Sequence, residues 1–312
     1  MELDIVVGFF VLGAVAHLIK SDFAMPQSLY KSTVIFLLLA IGLKGGVALS
    51  SYSFGEIAPK AAAVVAFGLT LPLIAFVILR WIGRWNREDA ASTAAHYGSV
   101  SVATYAVAIA LLEAKGVHYE SYFPLFVALL EVPAIIVGLL LARSQWEKGQ
   151  IGKVAHESLT NQGVLLLLGG IVIGVWAGER ADSVMPLFKT LFHGVLCLFL
   201  LEMGRVAAVR LAEISREGAF LLAFGVLMPL IGAFTGGALA DLLGLSTGGV
   251  VLLAVLGSSA SYIAVPAAMA VALPQANNSI AIASSLAITF PFNVLVAIPL
   301  YLAIAQHWSI GA

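Results

Sequence analysis

Two short runs of glycines and hydroxyls stand inside otherwise apolar sequence. The first is Gly98-Ser99-Val100-Ser101-Val102-Ala103-Thr104; the second is Gly257-Ser258-Ser259-Ala260-Ser261-Tyr262, with Pro266 just beyond. Glycine and serine weaken a helix, serine by offering its hydroxyl to nearby backbone groups. A membrane helix that unwinds there exposes N–H groups at the start of its second half, and with the positive pole of the half-helix dipole these form an anion site. Carbonyls and hydroxyls freed beside them suit a small cation such as Na⁺. Small residues also let membrane helices pack closely, but two such clusters at corresponding places favour a cavity. The substrate-binding candidates are Gly98, Ser99, Ser101, Thr104, Gly257, Ser258, Ser259 and Ser261.

Ionisable residues are few, and charge in hydrocarbon usually faces a partner or water. Glu131 precedes Pro133 and is read either as a cation or proton ligand or as an interhelical hydrogen-bonding group. Lys44 and Glu202 lie 158 positions apart with opposite sign, which predicts an interhelical charge pair. Glu113 sits near an outer helix end, and Asn293 beside Pro291 is a weaker polar candidate. His96, just before the first cluster, is read as interfacial rather than as a proton relay. No nucleophile–base pair, phosphate loop or metal-ligand spacing occurs, so the chain is not read as an enzyme and no cofactor is expected beyond possible Na⁺.

The elements that would carry these residues repeat. Ala66-Phe67-Gly68-Leu69-Thr70-Leu71-Pro72-Leu73-Ile74 is echoed by Ala223-Phe224-Gly225-Val226-Leu227-Met228-Pro229-Leu230-Ile231, a shift of 157. Gly46 and Gly204, and Pro133 and Pro291, repeat at 158, and Gly98-Ser99 and Gly257-Ser258 at 159. The chain is 61% hydrophobic and 11% charged with mean hydropathy +1.03, where a soluble domain has about 45–50% apolar and about 25% charged residues. Apolar stretches near the roughly 20 residues a bilayer requires fall at 3–19, 32–50, 61–82, 93–112, 122–142, 161–178, 187–204, 219–240, 248–272 and 279–305. The prediction is an all-α polytopic membrane protein of ten transmembrane helices, a 5+5 inverted-topology repeat. The first five-helix repeat is 1–143, the linker 144–160, and the second repeat 161–312. The first stretch carries Glu2 and Asp4 instead of leading lysines, and is read as a permanent span and not a signal peptide.

Alternating loops place eleven Lys and Arg on one side and four on the other, with Lys44 inside a span. The positive-inside rule puts the richer side in the cytoplasm and both termini outside. An odd number of spans per half makes the halves antiparallel, so the fourth and ninth spans meet near the bilayer centre, where such folds hold substrate. Trp81, Trp85, Trp146 and Trp176 fit an interfacial belt, and Gly170, Gly174 and Gly178 a packing ladder. The net charge of −1 gives no reason to expect nucleic acid, and the single Cys197 allows no internal disulfide.

The chain resembles the cyanobacterial sodium-dependent bicarbonate transporters and their wider bacterial superfamily over nearly its whole length. The resemblance is carried by Gly248-Gly249-Val250-Val251, by Gly257 through Ile263 with Pro266, and by Leu273-Pro274-Gln275-Ala276-Asn277. Gly98 to Thr104, Leu112-Glu113 and Glu131-Val132-Pro133 support it. It implies core and gate subdomains, a trimeric homo-oligomer, bicarbonate at the fourth/ninth crossing with sodium nearby, and a possible cytoplasmic regulatory protein. By position, Ser101 and Thr104 match polar residues of the family's fourth-span motif, and Ser258, Ser259 and Ser261 its ninth-span serine run. Glu131 stands where the bicarbonate transporters have an aspartate, and Tyr262 where they end the run with another. The implied ion-coupling residues are Glu131, Thr104, Ser259 and Tyr262. Val102, Ala103, Ala260, Ala264 and Val265 depart from the family pattern.

Together these readings predict a secondary permease of the bacterial inner membrane, in contact with lipid, importing a small anion, bicarbonate first. Alternatives are a proton-coupled carrier of another small anion or organic acid, a channel or exchanger, and a sensory or structural membrane subunit. The paired broken-helix signals favour a carrier.

Overall fold

The computed structural model describes residues 5–142, 152, 156, 159–213 and 218–310. It is 84% helix, with no strand among the described residues. In order, the helices are α1 (Ile5–Leu18), α2 (Gln27–Leu49), α3 (Phe54–Val77), α4 (Arg87–Gly98), α5 (Val102–Ala114), α6 (Phe123–Glu131) and α7 (Pro133–Ala142). After residues 143–158, of which only 152 and 156 are described, come α8 (Gln162–Ala177), α9 (Met185–Glu213), α10 (Gly218–Leu242), α11 (Thr247–Ser258), α12 (Ala264–Ala272) and α13 (Asn278–His307). Most of the expected linker, and Trp146, lie outside the described residues.

Among the described residues eight helical stretches are long and apolar enough to cross a membrane; α1, with fourteen residues, and α11, with twelve, are shorter. Large apolar side chains face outward, with Phe234 79% and Val172 65% exposed. That surface suits lipid, since soluble proteins avoid large contiguous apolar patches. Trp81 and Trp176 are also exposed, and the Arg180 guanidinium stacks on the Trp176 ring.

The apolar stretch expected at 93–112 is two helices, α4 and α5, parted at residues 99–101; that at 248–272 is likewise α11 and α12, parted at 259–263. Val132 parts α6 from α7 before Pro133, whose ring fixes φ and lacks an N–H. In α13, π-helical turns at Ser284–Thr289 and Asn293–Ala297 flank Pro291. A proline N cannot donate to the carbonyl four residues back, and a wider turn relieves the clash.

Two glycine contacts bring the halves together. A Cβ at Gly204 of α9 would overlap the Phe10 carbonyl of α1, and one at Gly46 of α2 would overlap the Ile171 carbonyl of α8. Only the missing side chain permits these backbones to touch. Gly170 and Gly174 supply the α8 side of the second contact, whereas Gly178 ends the helix at φ +54°. Helices α1, α2, α8 and α9 thus form one packed group, and α4 is buried among α3, α7, α11 and α13 in another.

Candidate functional site

The Asn86 side chain caps the start of α4, accepting the Asp89 N–H at 2.8 Å. The helix ends at Gly98, where an added Cβ would collide with Pro72 and Ala134. Ser99 and Ser101 are extended, and α5 restarts with Ser101 as its cap, its hydroxyl accepting the Thr104 N–H at 3.2 Å. The second break mirrors this. Helix α11 ends at Ser258, Ser259 is extended, and α12 starts at Ala264 with the Ser261 hydroxyl accepting the Val265 N–H at 3.4 Å.

The breaks meet. The Ser101 N–H donates to the Ser259 hydroxyl at 3.1 Å, which in turn donates to the Leu256 carbonyl at 2.9 Å. His96 and Ser261 bond reciprocally: the Ser261 N–H donates to the His96 carbonyl at 2.8 Å, and the His96 ring lies 2.7 Å from the Ser261 carbonyl. A carbonyl only accepts, so Nδ1 carries the proton and Nε2 is left as a buried acceptor with no hydrogen-bond partner. His96 is fully buried. Its expected interfacial place is therefore corrected: the ring is a strut of the crossing, held by the free backbone of the second break.

Glu131, at the end of α6, is buried, and its carboxylate accepts the Ser99 hydroxyl at 3.0 Å. Asn293 Nδ2 donates to the Ser258 carbonyl at 2.8 Å, leaving Oδ1 buried without a partner. The Thr104 hydroxyl is also buried without one. The Tyr262 ring stands edge-on to Phe290, and its phenol oxygen is buried near Ser101 with no well-formed hydrogen bond. Gly98, Gly257, Ser99, Ser101, Thr104, Ser258, Ser259, Ser261, Glu131 and Tyr262 thus belong to one region.

A cavity of about 90 Å³ opens beside this crossing. Its polar wall is Ser101, Glu131, Ser261 and Tyr262, with Asn161 and Gln162 of the second half; Leu37, Leu38 and Phe199 face them. At about 30 Å³ per water it holds roughly three water-sized groups, which suits an ion of a few heavy atoms. The N-terminal turns of α5 and α12 both border it, so free N–H groups and two helix dipoles favour negative charge there. No Lys or Arg lines it among the described residues.

The expected Lys44–Glu202 pair is not formed. Lys44 Nζ instead pairs with Glu113 Oε1 on α5, and the Tyr119 hydroxyl donates to the same carboxylate at 2.8 Å. Glu202 is held by Arg205, three residues on, at 2.5 and 3.0 Å, and also accepts the Met25 N–H at 3.2 Å. The shared repeat offset does not make the two side chains neighbours: each finds its opposite charge within its own half, Lys44 at Glu113 and Glu202 at Arg205.

Sequence reasoning passed over a second buried polar cluster. The Tyr97 hydroxyl lies 2.5 Å from Ser284 and 2.7 Å from Thr289, and Thr289 donates to the Gly225 carbonyl at 2.7 Å. The signal was present as Ser284 and Thr289, hydroxyls just before Pro291 in an apolar stretch. These bonds tie α4 to α10 and α13, bracing the first break from behind.

No curated protein matches the chain. A sequence model of the Na⁺-dependent bicarbonate transporter superfamily matches residues 6–306 of the 312, and the chain belongs to that superfamily.

Proposed function

We propose that the chain is a secondary permease of the bacterial inner membrane that imports a small anion, bicarbonate first, by alternating access. One observation carries the reading. Two helix N-termini converge on a cavity in whose described lining Glu131 is the only ionisable carboxylate and no side chain is cationic. The N-termini attract an anion, but an ionised Glu131 repels it across a few ångströms of low-dielectric space. A Na⁺ or a proton on Glu131 removes the repulsion, so the anion binds best together with a cation. Thr104, Ser259 and Tyr262 are the neighbouring oxygens available to such a coupling ion.

The 5+5 inverted repeat of ten spans is part of this reading, with 1–143 and 161–312 as its halves. It is supported by matching contacts at offsets of 157 and 158. Gly68 abuts Leu130 while Gly225 abuts Ile288, and Gly46 abuts α8 while Gly204 abuts α1. Counting α1 and the broken α11–α12 pair as spans gives ten. The α1, α2, α8 and α9 group would be the gate and the remainder the core, with both termini outside. Assembly as a trimer and a cytoplasmic regulatory partner are carried over from the resemblance alone.

A second reading, a proton-coupled carrier of an organic acid, draws on Tyr262, a neutral phenol where the bicarbonate transporters have an aspartate. Radiolabelled uptake into proteoliposomes decides between them, with bicarbonate and a panel of small carboxylates, with and without a sodium gradient. Sodium-stimulated bicarbonate uptake is expected. Absence of uptake of every anion in both conditions would reject the carrier reading.

A further inference from the structure

A second, larger cavity lies one turn further along α5. It measures about 290 Å³, near the lower end of the roughly 300–1,000 Å³ typical of small-molecule pockets, and exceeds the crossing cavity about threefold. Glu113, Ile109 and Tyr105 recur every four residues on α5, share one helix face, and line it. Tyr105 donates its backbone N–H to the Ser101 carbonyl at 3.1 Å, so the cavity descends to within one turn of the crossing. Its opposite wall is Ile41 and Lys44 of α2, with Met185, Phe188 and Phe192 of α9.

The polar groups here are not all satisfied by one another. Lys44 has three N–H donors: one goes to Glu113 and one reaches the Tyr119 oxygen at 3.4 Å, which leaves a third. The Tyr105 hydroxyl is fully buried and has no hydrogen-bond partner among the described residues. A buried hydroxyl without a partner is unfavourable, and a ligand oxygen would relieve that cost. Two lysines, Lys44 and the exposed Lys189 at the rim, face one carboxylate, Glu113, so the lining favours an anion. The apolar wall and the volume call for more than a few-atom inorganic ion.

We propose that this cavity is a separate subsite for an organic monocarboxylate with a short apolar body. Its carboxylate accepts from Lys44 and Tyr105, and its body lies against Phe188, Phe192 and Ile41. The inference builds on the anion-carrier reading, because the cavity borders the helix that leads to Ser101. A ligand lodged between α2, α9 and α5 would hold the two helix groups in one arrangement and so inhibit uptake.

The test uses equilibrium binding of radiolabelled benzoate to the purified full chain, alongside bicarbonate uptake into proteoliposomes. Saturable binding of one benzoate per chain is expected. Ser101→Leu, which fills the crossing, should leave the benzoate Kd within about twofold. Tyr105→Phe, which deletes one hydroxyl and should fold normally, should weaken binding about 3–10-fold. Lys44→Met with Glu113→Gln, which removes the charge pair together, should weaken it further. Binding lost in Ser101→Leu yet unchanged in Tyr105→Phe would move the organic anion to the crossing and overturn the subsite. No saturable binding would overturn it too, and bicarbonate uptake persisting in that case would leave the carrier reading standing. Conversely, the expected pattern without any anion uptake would support the subsite and reject the carrier.

Discussion

Ser101 and Ser259 touch through a hydrogen bond of 3.1 Å, from the backbone N–H of one to the side chain of the other, and 158 positions separate them. That separation is also the offset at which Gly46 and Gly204, and Pro133 and Pro291, recur. The two breaks therefore meet through residues that lie one such offset apart. Each serine also serves its own half. Ser101 caps α5, and Ser259 ties back to α11.

Replacing either serine by leucine is predicted to abolish uptake while leaving folded protein in the membrane. The added side chain at position 101 would enter the cavity of about 90 Å³, and at 259 would part the two breaks. Uptake above half the unaltered rate, at equal membrane abundance, would show that substrate does not use this crossing.

Glu131→Gln is predicted to remove dependence on sodium or on a proton gradient while anion binding persists. The amide keeps an acceptor for the Ser99 hydroxyl at 3.0 Å and removes the negative charge. Anion counterflow should continue, and gradient-driven accumulation should fall at least tenfold. Steep sodium-driven accumulation in Glu131→Gln would place the coupling ion elsewhere.

Lys44→Met is predicted to destabilise the protein by about 1–3 kcal/mol. This is less than the about 3–5 kcal/mol for breaking a fully buried pair, because Lys44 and Glu113 side chains are 42% and 29% exposed. Lys44→Met with Glu113→Gln should recover most of the loss, and Lys44→Met with Glu202→Gln none of it. Thermal unfolding of the three variants in detergent separates the cases, and rescue by Glu202→Gln would contradict the observed pairing.

The helical class, the two breaks and Glu131 beside the first of them were legible in the sequence, because glycine, serine and proline act through local backbone chemistry. Gly170 and Gly174 of the expected glycine ladder were legible for the same reason, as small residues mark close approach, whereas Gly178 ends the helix, where a Cβ would meet nothing within 4 Å. Side-chain partners were not. Lys44 reaches Glu113 and Tyr119 through the rotation of α2 against α5, which no spacing encodes. The His96–Ser261 exchange depends on free backbone groups that exist only once α11 has unwound. The π turns of α13 were equally hidden, since Pro291 announces a disturbance but not the form its relief takes.

Gly204→Leu is predicted to prevent α1 from seating on α9, since a Cβ there already overlaps the Phe10 carbonyl. The cost should exceed the about 1–3 kcal/mol of ordinary overpacking, because backbone and not a movable side chain stands in the way. Gly46→Leu should do the same at the α2–α8 contact, whereas Gly169→Leu should be tolerated, since a Cβ at Gly169 meets nothing within 4 Å. Membrane abundance and thermal unfolding read the difference, and equal behaviour of the three variants would refute the packing assignment.

His96 offers a choice between positioning and proton transfer. Its Nδ1–H donates to the Ser261 carbonyl at 2.7 Å, and its own carbonyl holds the Ser261 N–H, so the residue fixes one end of the second break. Asparagine carries an amide N–H₂ near the place of Nδ1 but cannot titrate. His96→Asn is therefore predicted to retain most of the uptake rate, with the same pH profile between about pH 6 and 8 as the unaltered protein. His96→Phe, which leaves the Ser261 carbonyl buried without its ring donor, should lose about 1–3 kcal/mol of stability and most of its uptake. If His96→Asn instead lost its pH dependence together with its activity, the ring would be a proton carrier and not a strut.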